Sequence, residues 1–498
     1  MTVFLDARTL PDDTVLAPDL AIIGGGAAGI SLALALASTK LNILLLESGG
    51  VNFDPQNQKM YAGSRSGLSY IALDSGRLRF LGGSTNHWGG WCRPLDEIDF
   101  EKRDWVAHSG WPFPRKALDA YYPRAQALVE AGPWFYDKAG AHITAQGAPL
   151  GLGEGGVYTS WFQFSKTRDS ELPTYFGHRY EGELKKTPRL TPLLNANVTG
   201  IRLTPDGTRV DRLDAATLTG KRFVVKPHVT VLACGGMENA RLLLASRDVM
   251  KNGVGNQNDL VGRFFADNPI PRDVATLVSF AGPLASYYGN NLSLANGPIL
   301  RATFSPNHAF RRTAHVASSL STVEQPVELD DTGKAAVITT AIALGVDASR
   351  ASAYSLGCGM ELLPDPERRL TLTDEKDALG LPRLKLNMRM AEEDFTLYHQ
   401  TLRELGRQLL ASGAGMLKIN RREDWSKNMD WGNHHLGTTR MHDDPKQGVV
   451  NSDGQVHGVS NLYVAGSSVF PTYGASNPTL NLIALTLRLA DHLKKVVA

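Results

Sequence analysis

The chain has 498 residues, of which 42% are hydrophobic and 20% are charged, with a formal net charge of +2. This composition is typical of a soluble globular protein, and the length suggests more than one domain. Because 52 basic residues are balanced by 50 acidic ones, the charge gives no reason to expect a nucleic acid or an anionic lipid surface as a partner.

The three cysteines, Cys92, Cys234 and Cys358, are far apart and odd in number. This excludes a disulfide framework and a CxxC metal motif as expectations, and it favours a reducing compartment. The first 20 residues lack the basic and apolar regions of a secretory signal. Because polar residues interrupt the longest apolar stretch, residues 30–46, no segment is expected to span a bilayer. We therefore expect a cytoplasmic protein.

The first predicted elements form a βαβ unit. An apolar strand over residues 19–23 is followed by Gly24-Gly-Gly-Ala-Ala-Gly29, a helix over 30–38 and a strand over 42–47. In a GxGxxG loop the first glycine permits a tight turn, the second lets a pyrophosphate approach, and the third lets helix and strand pack. The helix N-terminus offers unpaired N–H groups to the phosphates.

Glu47 closes this unit 18 residues after Gly29. A carboxylate at that distance can accept the hydroxyl groups of a ribose. We interpret the unit as a dinucleotide site, although the motif does not separate FAD from NAD. The alternative is a glycine-rich turn beside a solvated acid.

The middle of the chain alternates between loops and regular elements. Residues 48–78 lack periodicity and are predicted as loop, and a glycine-rich segment follows at 81–90. The next predicted elements are a helix over 115–130, a β-meander over 198–225, a strand over 229–234 and a helix over 238–246.

Residues 276–430 show alternating apolar and polar runs, with a helix near 391–412. We interpret them as a substrate lobe built on an antiparallel sheet. In the C-terminal segment a strand is predicted over 462–466 and a helix over 479–494. We expect a discontinuous cofactor domain and a separate substrate domain; the first comprises residues 1–105, 195–275 and 431–498, and the second comprises 106–194 and 276–430.

Four further stretches carry a family resemblance. They are Leu81-Gly-Gly-Ser-Thr-Asn-His-Trp88, Ala233-Cys-Gly-Gly-Met-Glu-Asn-Ala-Arg-Leu-Leu-Leu244, His434-His-Leu-Gly-Thr-Thr-Arg-Met441 and the segment from Val464 to Leu480. In this order they resemble the glucose–methanol–choline (GMC) oxidoreductase family, and within it the pyranose-oxidase-like and bacterial sugar-dehydrogenase branches. The resemblance implies an α/β FAD-binding domain of the Rossmann-like, glutathione-reductase type. It also implies an α+β substrate domain with an antiparallel sheet.

The resemblance also implies a catalytic pair. His434, seven residues before Met441, matches the base that takes the hydroxyl proton while hydride passes from the carbinol carbon to flavin N5. Asn477 matches the partner that holds the substrate oxygen. A histidine suits the first task because its pKa lies near neutrality. Both residues also lie in glycine-rich loops.

Other readings of these residues remain open. His434 and His435 could be a metal pair, but no third ligand is evident and we expect no metal. His434 could also be a packed core histidine, and we take His435 as structural. Asn477 could be only the N-cap of the following helix, with Pro478 at its first position.

His87 aligns with the histidine that carries a covalent bond to the flavin in some relatives, and the chain leaves open whether that bond forms. Gly89 stands where pyranose oxidase has a threonine facing N5, so the surroundings of N5 depart from that pattern. Glu238 and Asn239 start a predicted helix and are interpreted as caps. The candidate cofactor-binding residues are Gly24, Gly26, Ala28, Gly29, Glu47, Gly82, Gly83, Ser84, Asn86, His87, Trp88, Gly89, Val198, Ala233, Gly466, Ser467, Asn477 and Thr479.

The substrate is expected to be a sugar or glycoside, on the strength of the resemblance. Trp88, Trp91, Trp425 and Trp431 lie near the motif loops and could stack on a sugar ring or simply pack in the core. A non-sugar alcohol, NAD(P)H-driven reduction and desaturation remain alternatives, although no second GxGxxG unit accompanies the first. The electron acceptor is open between oxygen, a quinone and a partner subunit, and relatives exported with a partner leave the periplasm open.

Overall fold

A computed structural model describes residues 4–137, 143, 147–166, 173–294, 297–427 and 429–497. Its first layer is a six-stranded sheet in which every neighbouring pair is parallel. The strands, in spatial order, are Leu5–Asp6, Leu190–Leu194, Ile43–Leu46, Leu20–Ile23, Val229–Leu232 and Leu462–Val464. The central strands are buried throughout and apolar except at Thr230, as a parallel sheet covered on both faces requires.

Two helices leave neighbouring strands of this sheet at the same edge. Ala27–Ala35 follows Leu20–Ile23, and Gly235–Ala245 follows Val229–Leu232. The long C-terminal helix Pro478–Val496 packs against the first of them, within the largest hydrophobic core. Ligands of such sheets bind outside the carboxyl ends of the strands, so this edge is where a site is expected.

A four-stranded sheet lies beside the parallel sheet. Its strands are Thr14–Leu16, Arg222–Val225, Val210–Ala216 and Asn197–Leu203, and the last three form the predicted β-meander. The turns of the meander contain Gly207 and Gly220, whose φ angles are +73° and +95°. A left-handed backbone of this kind favours glycine.

An eight-stranded antiparallel sheet forms the second large layer. In spatial order its strands are Gly415–Ile419, Ala275–Ser279, Ser352–Met360, Ser319–Pro326, Ile299–Pro306, Val157–Phe164 and Trp91–Cys92, with Leu292–Ser293 beside Ile299–Pro306. The helix predicted near 391–412 is present as Glu392–Ala411 and shares a core with this sheet through Leu402, Leu405 and Leu409.

Two small sheets contain strand pairings that the local sequence pattern does not predict. Arg369–Lys376 pairs with Pro382–Met388, which in turn pairs in parallel with Ser64–Gly67. Pro269–Pro271 pairs with Met429–Trp431. The prediction that residues 48–78 form a loop is therefore wrong in part, since Ser64–Gly67 is a strand. So short a strand is stabilised by its distant partner strand and shows no periodicity of its own in the sequence.

The helix predicted over residues 115–130 is also interrupted. The structure has a 3₁₀ turn at Arg115–Leu118 and a helix at Tyr122–Leu128. Pro123 lies in the first turn of the second element, and its missing N–H cannot bond to the preceding turn. A proline is tolerated only where a helix begins, so one helix becomes two short elements.

The remaining described helices and 3₁₀ turns are short, except the 14-residue helix Asp331–Leu344. They are Ala7–Thr9, Pro55–Gln58, Lys59–Tyr61, Gly83–Asn86, Glu97–Phe100, Phe176–Arg179, Glu181–Lys186, Ser286–Gly289, His308–Thr313, Asp331–Leu344, Arg422–Lys427 and Ser467–Val469. Among the described residues, no helix combines the length and apolar character needed to cross a bilayer.

Candidate active site

A cleft of about 520 Å³ lies at the edge where the parallel strands end. Both helix N-termini described above face it, together with the glycine-rich turn Gly83–Asn86 and the start of the C-terminal helix. The cleft also reaches Trp91 at the edge of the antiparallel sheet and Trp431 in the small two-stranded sheet. The site is thus built from segments at the start, middle and end of the chain.

The glycines of the first loop have distinct structural tasks. Gly24 has φ of +109°, and a Cβ there would lie 2.6 Å from the carbonyl oxygen of Ala233. A Cβ at Gly29 would lie 1.8 Å from the carbonyl oxygen of Gly24, which leaves no room between helix and strand. At Gly26 nothing lies within 4 Å, and this N-cap has no side-chain capping bond. The helix therefore presents bare N–H groups to the cleft, which suits a phosphate.

Glu47 is buried at the end of its strand, and its carboxylate is fixed by the loop. Oε2 accepts the N–H of Gly25 at 2.8 Å, and Oε1 accepts the N–H of Gly49 at 2.8 Å and the hydroxyl of Ser48 at 3.1 Å. Each carboxylate oxygen has two lone pairs, so Oε2, which accepts only one of these bonds, can accept one more.

Three polar atoms in the cleft wall are buried without a hydrogen-bond partner. They are Nε of Arg79, Nδ2 of Asn197 and Nε2 of His435. A buried donor left unsatisfied costs about 1–3 kcal/mol. Arg79 and Asn197 offer donors, and Nε2 of His435 is a donor or an acceptor according to its tautomer, so the wall suits a ligand with polar atoms.

His434 and Asn477 meet at the inner end of the cleft. The amide Nδ2 of Asn477 lies 3.1 Å from Nε2 of His434. Asn477 is the N-cap residue of Pro478–Val496, but its side chain makes no capping bond. The two residues predicted as a catalytic pair are therefore brought together, and the side chain of Asn477 does not serve the helix.

Sequence reasoning missed two partners on the other side of His434, Asn268 and Asp267, and a third residue, Tyr70, that binds Asp267. Nδ1 lies 2.8 Å from Oδ1 of Asn268, and the backbone N–H of His434 donates to Oδ1 of Asp267 at 2.8 Å. Tyr70 donates its hydroxyl to Oδ2 of Asp267 at 2.5 Å. The sequence signal for these residues was Asp267-Asn268-Pro269 between two short apolar segments. That tripeptide alone does not indicate a chemical role, because its partners are distant in the chain.

Burial determines the protonation of this end of the cleft. It lowers the pKa of His434 to about 4 and that of His435 to about 3, the latter with help from the nearby Arg77. Burial raises the pKa of Asp267 to about 6, against the hydrogen bonds from Tyr70 and from backbone N–H groups. At neutral pH both histidines are neutral, and a neutral imidazole can accept a proton.

A buried ionic cluster lies in the wall of the cleft. Glu238 pairs with Arg77 at 2.8 Å and Arg241 at 3.2 Å, and Arg241 also pairs with Asp377 at 2.7 Å. Although burial opposes ionisation, Arg241, Arg77 and Arg79 lower the pKa of Glu238 to about 2.

The interpretation of Glu238 and Asn239 as helix caps is wrong, because the N-cap residue is Cys234. Glu238 belongs to the ionic cluster. Asn239 accepts the N–H of Cys234 at 2.8 Å and donates to Ser468 at 3.0 Å, so it links this helix to the loop at 466–468.

Most predicted cofactor-binding residues line the cleft. Those lining it are Gly24, Gly26, Ala28, Glu47, Gly83, Ser84, His87, Trp88, Gly89, Val198, Ala233, Gly466, Ser467, Asn477 and Thr479. Gly29, Gly82 and Asn86 lie behind this surface, and Asn86 donates to the carbonyl of Leu81 at 2.9 Å. Of the four tryptophans, Trp425 does not reach the cleft, because it is buried in the core beneath the antiparallel sheet.

A covered parallel sheet, a glycine-rich loop at a helix N-terminus and a neutral histidine in the same cleft define the class of dinucleotide-binding oxidoreductases. Residues 364–486 match the family model described as GMC oxidoreductase. This match confirms the resemblance to that family inferred from the motifs, and the cofactor of proteins in that family is FAD.

Two relatives and one solved structure illustrate the similarity. The fructose dehydrogenase large subunit of Gluconobacter japonicus is 29% identical over 54% of this chain, and the match spans about half (47%) of that protein. The 2-methyl-1,2-propanediol dehydrogenase of Mycolicibacterium austroafricanum is 24% identical over 96% of this chain and 95% of its own length. The crystal structure of pyridoxine 4-oxidase from Mesorbium loti has a TM-score of 0.61 at 17% identity, with 96% and 99% of the two chains covered, and shows the shared fold.

The cleft fits FAD by its own chemistry. The bare N–H groups after Gly26 suit the phosphates, and Glu47 retains accepting capacity for hydroxyl groups. The unpartnered donors of Arg79 and Asn197 suit the acceptor atoms of a nucleotide.

Proposed function

We propose that this chain is an FAD-dependent oxidoreductase that oxidises the CH–OH group of a sugar or glycoside. The observation that carries the proposal is the 3.1 Å contact between Nδ2 of Asn477 and Nε2 of His434 inside a cleft that fits FAD. The names of the relatives, a fructose dehydrogenase and a diol dehydrogenase, support a CH–OH donor. FAD supplies the acceptor for the two electrons that leave the carbinol carbon as hydride.

The roles of the two residues follow from their chemistry. Nε2 of His434 takes the proton of the substrate hydroxyl as the C–O bond gains double-bond character. The amide of Asn477 holds the substrate oxygen next to that nitrogen and so orients the C–H bond. Burial, which lowers the pKa of His434, keeps the imidazole unprotonated before the reaction.

The cofactor would be held by the loop Gly24–Gly29, Glu47, the segment Gly82–Gly89, Val198 and the turn after Gly466. We propose that these residues belong to a discontinuous FAD-binding domain of the glutathione-reductase type, comprising residues 1–105, 195–275 and 431–498. The proposed substrate domain comprises 106–194 and 276–430. Most residues that line the cleft belong to the first set, and Asp377, Leu379 and Leu381 belong to the second.

His87 is the residue through which a covalent bond to the cofactor would form. Its side chain lines the cleft, and burial lowers its pKa, so a neutral nucleophilic nitrogen is available. Acid precipitation decides whether the bond exists. A yellow pellet from the wild type and a colourless one from His87→Ala establish it, and a yellow supernatant from both proteins excludes it.

The decisive test of the proposed function is an anaerobic screen of flavin absorbance. The purified protein is mixed with monosaccharides, glycosides, simple alcohols and NAD(P)H in separate cuvettes. Bleaching of the flavin bands by a sugar or glycoside is the expected result. Bleaching by NAD(P)H alone, or by none of these compounds, would contradict the proposal.

A further inference from the structure

The nitrogen of His434 that faces away from Asn477 is bound to an amide of fixed orientation. Nδ2 of Asn268 donates to the backbone carbonyls of Met360 at 2.8 Å and Gly474 at 3.4 Å. Carbonyl oxygens only accept hydrogen bonds, so these two contacts identify the nitrogen end of the amide. Its oxygen, Oδ1, therefore faces Nδ1 of His434 at 2.8 Å.

An amide oxygen cannot donate, so Nδ1 of His434 must carry the proton in this contact. In a neutral imidazole the other nitrogen, Nε2, then has a lone pair that can accept a hydrogen bond. Asn477 donates its amide N–H to that nitrogen at 3.1 Å. The two amides on opposite sides of the ring thus require the same tautomer.

Asp267 fixes the ring and the amide relative to each other. Its Oδ1 accepts the backbone N–H groups of His434 at 2.8 Å and of Asn268 at 2.7 Å. Its Oδ2 accepts the hydroxyl of Tyr70 at 2.5 Å. Asp267 and Asn268 are 0% and 3% exposed, so water does not compete for these bonds.

We propose that Asn268 is a positioning residue that holds His434 as the Nδ1–H tautomer, with Asp267 and Tyr70 fixing both residues in place. The proposal rests on the proposed role of His434 as base. When Nε2 takes the substrate hydroxyl proton, the ring becomes a cation and both nitrogens become donors. The bond from Nδ1–H to Asn268 is then charge-assisted and stronger, so Asn268 stabilises the protonated base without touching the substrate.

The tautomer can be measured without any substrate. In the holoprotein labelled with ¹⁵N-histidine, the His434 signals are assigned by their loss in His434→Gln. We expect Nδ1 to resonate as a protonated nitrogen and Nε2 as an unprotonated one at neutral pH. The reverse assignment would overturn the proposal, and because no alcohol is added this result is independent of the proposed function.

Two variants of Asn268 test the consequence for the reaction. Asn268→Leu removes the acceptor, and we expect the rate of anaerobic flavin reduction to fall by about 10²–10⁴-fold, as occurs when a catalytic histidine loses the partner that sets its tautomer. The matched control is Asn256→Leu, which removes another buried amide, bonded to Asn252 and Val261 and outside the cleft. The control is expected to leave the rate unchanged, and an equal loss in both variants would refute the proposal.

Asn268→Asp retains an acceptor for Nδ1–H and adds a negative charge. A nearby carboxylate favours the protonated imidazole, so the acid limb of the pH profile of flavin reduction should move to higher pH. The other titratable and charged groups near the ring, Asp267, Tyr70, His435 and the more distant Arg77, are unchanged in this variant. An acid limb at the same pH as in the wild type would overturn the proposal. If Asn268→Leu does not fold, the pH profile of Asn268→Asp tests the proposal in its place. If no alcohol reduces the wild type, the proposed function fails and the tautomer measurement still decides this proposal.

Discussion

The amide of Asn477 donates to Nε2 of His434 across 43 residues of chain, and this contact replaces the capping bond that an asparagine at a helix N-cap ordinarily makes. An N-cap side chain contributes about 1 kcal/mol to helix stability. Pro478 at the first helical position removes one N–H that would otherwise need a partner. The helix Pro478–Val496 therefore begins without its cap, and the side chain is free to serve the cleft.

Asn477→Ala should slow anaerobic flavin reduction by about 10²-fold, the scale of a misplaced reacting group. The midpoint of thermal unfolding should not change, because the side chain does not cap the helix. Asn477→His should recover part of the rate, since a ring N–H can replace the amide donor. A lower unfolding midpoint with an unchanged rate would instead show that Asn477 serves the helix.

His434→Gln should lower the rate of flavin reduction by about 10²–10⁴-fold, the usual contribution of a general base. FAD absorbance per protein should stay constant, because glutamine occupies a similar volume. The matched control is His457→Gln, which replaces a histidine that contacts the carbonyl of His442 outside the cleft. An unchanged rate in His434→Gln would exclude His434 as the base.

Two alanine substitutions in one loop should have different effects. Gly29→Ala forces a Cβ to within 1.8 Å of the carbonyl oxygen of Gly24, and we expect a loss of about 1–3 kcal/mol in the free energy of unfolding. Gly26→Ala meets no protein atom within 4 Å, so the apoprotein should keep its stability while FAD binding weakens. Urea unfolding and FAD titration measure the two effects. Equal destabilisation by both substitutions would show that Gly26 is not open to a ligand.

The stability of the apoprotein should fall on acidification. The native pKa of His434 is about 4, below the ordinary value of 6.5, so between those pH values the unfolded chain binds the proton and the native protein does not. His435, with a native pKa of about 3, acts in the same direction. Asp267, with a native pKa of about 6 above its ordinary 3.8, opposes them between pH 6 and 4.

The measurement is the midpoint of thermal unfolding at pH 7.5 and pH 5. His434→Gln removes one of the two groups that bind a proton only on unfolding, so its midpoint should fall less than that of the wild type. His228→Gln, a change at an exposed histidine, should behave like the wild type. A wild-type midpoint that rises on acidification would show that Asp267 dominates.

Local patterns were sufficient for four of the six strands of the parallel sheet, for the β-meander and for the helix Glu392–Ala411, because each has its own periodicity or turn residues. They were insufficient for Ser64–Gly67, whose partner strand lies more than three hundred residues away. They also failed at the helix predicted over 115–130, where the position of Pro123 required two elements.

By itself, the sequence of this protein determined the glycine-rich loop, the strand and helix that flank it, and the motif residues His434 and Asn477. The tertiary structure alone decided what surrounds the base. Tyr70 and Asp267 are 197 residues apart, and Asn268 and His434 are 166 apart. Contacts of that kind depend on how distant segments of the chain pack around the cleft. They leave no periodicity in the chain, because each residue is buried by elements that sequence order does not place beside it.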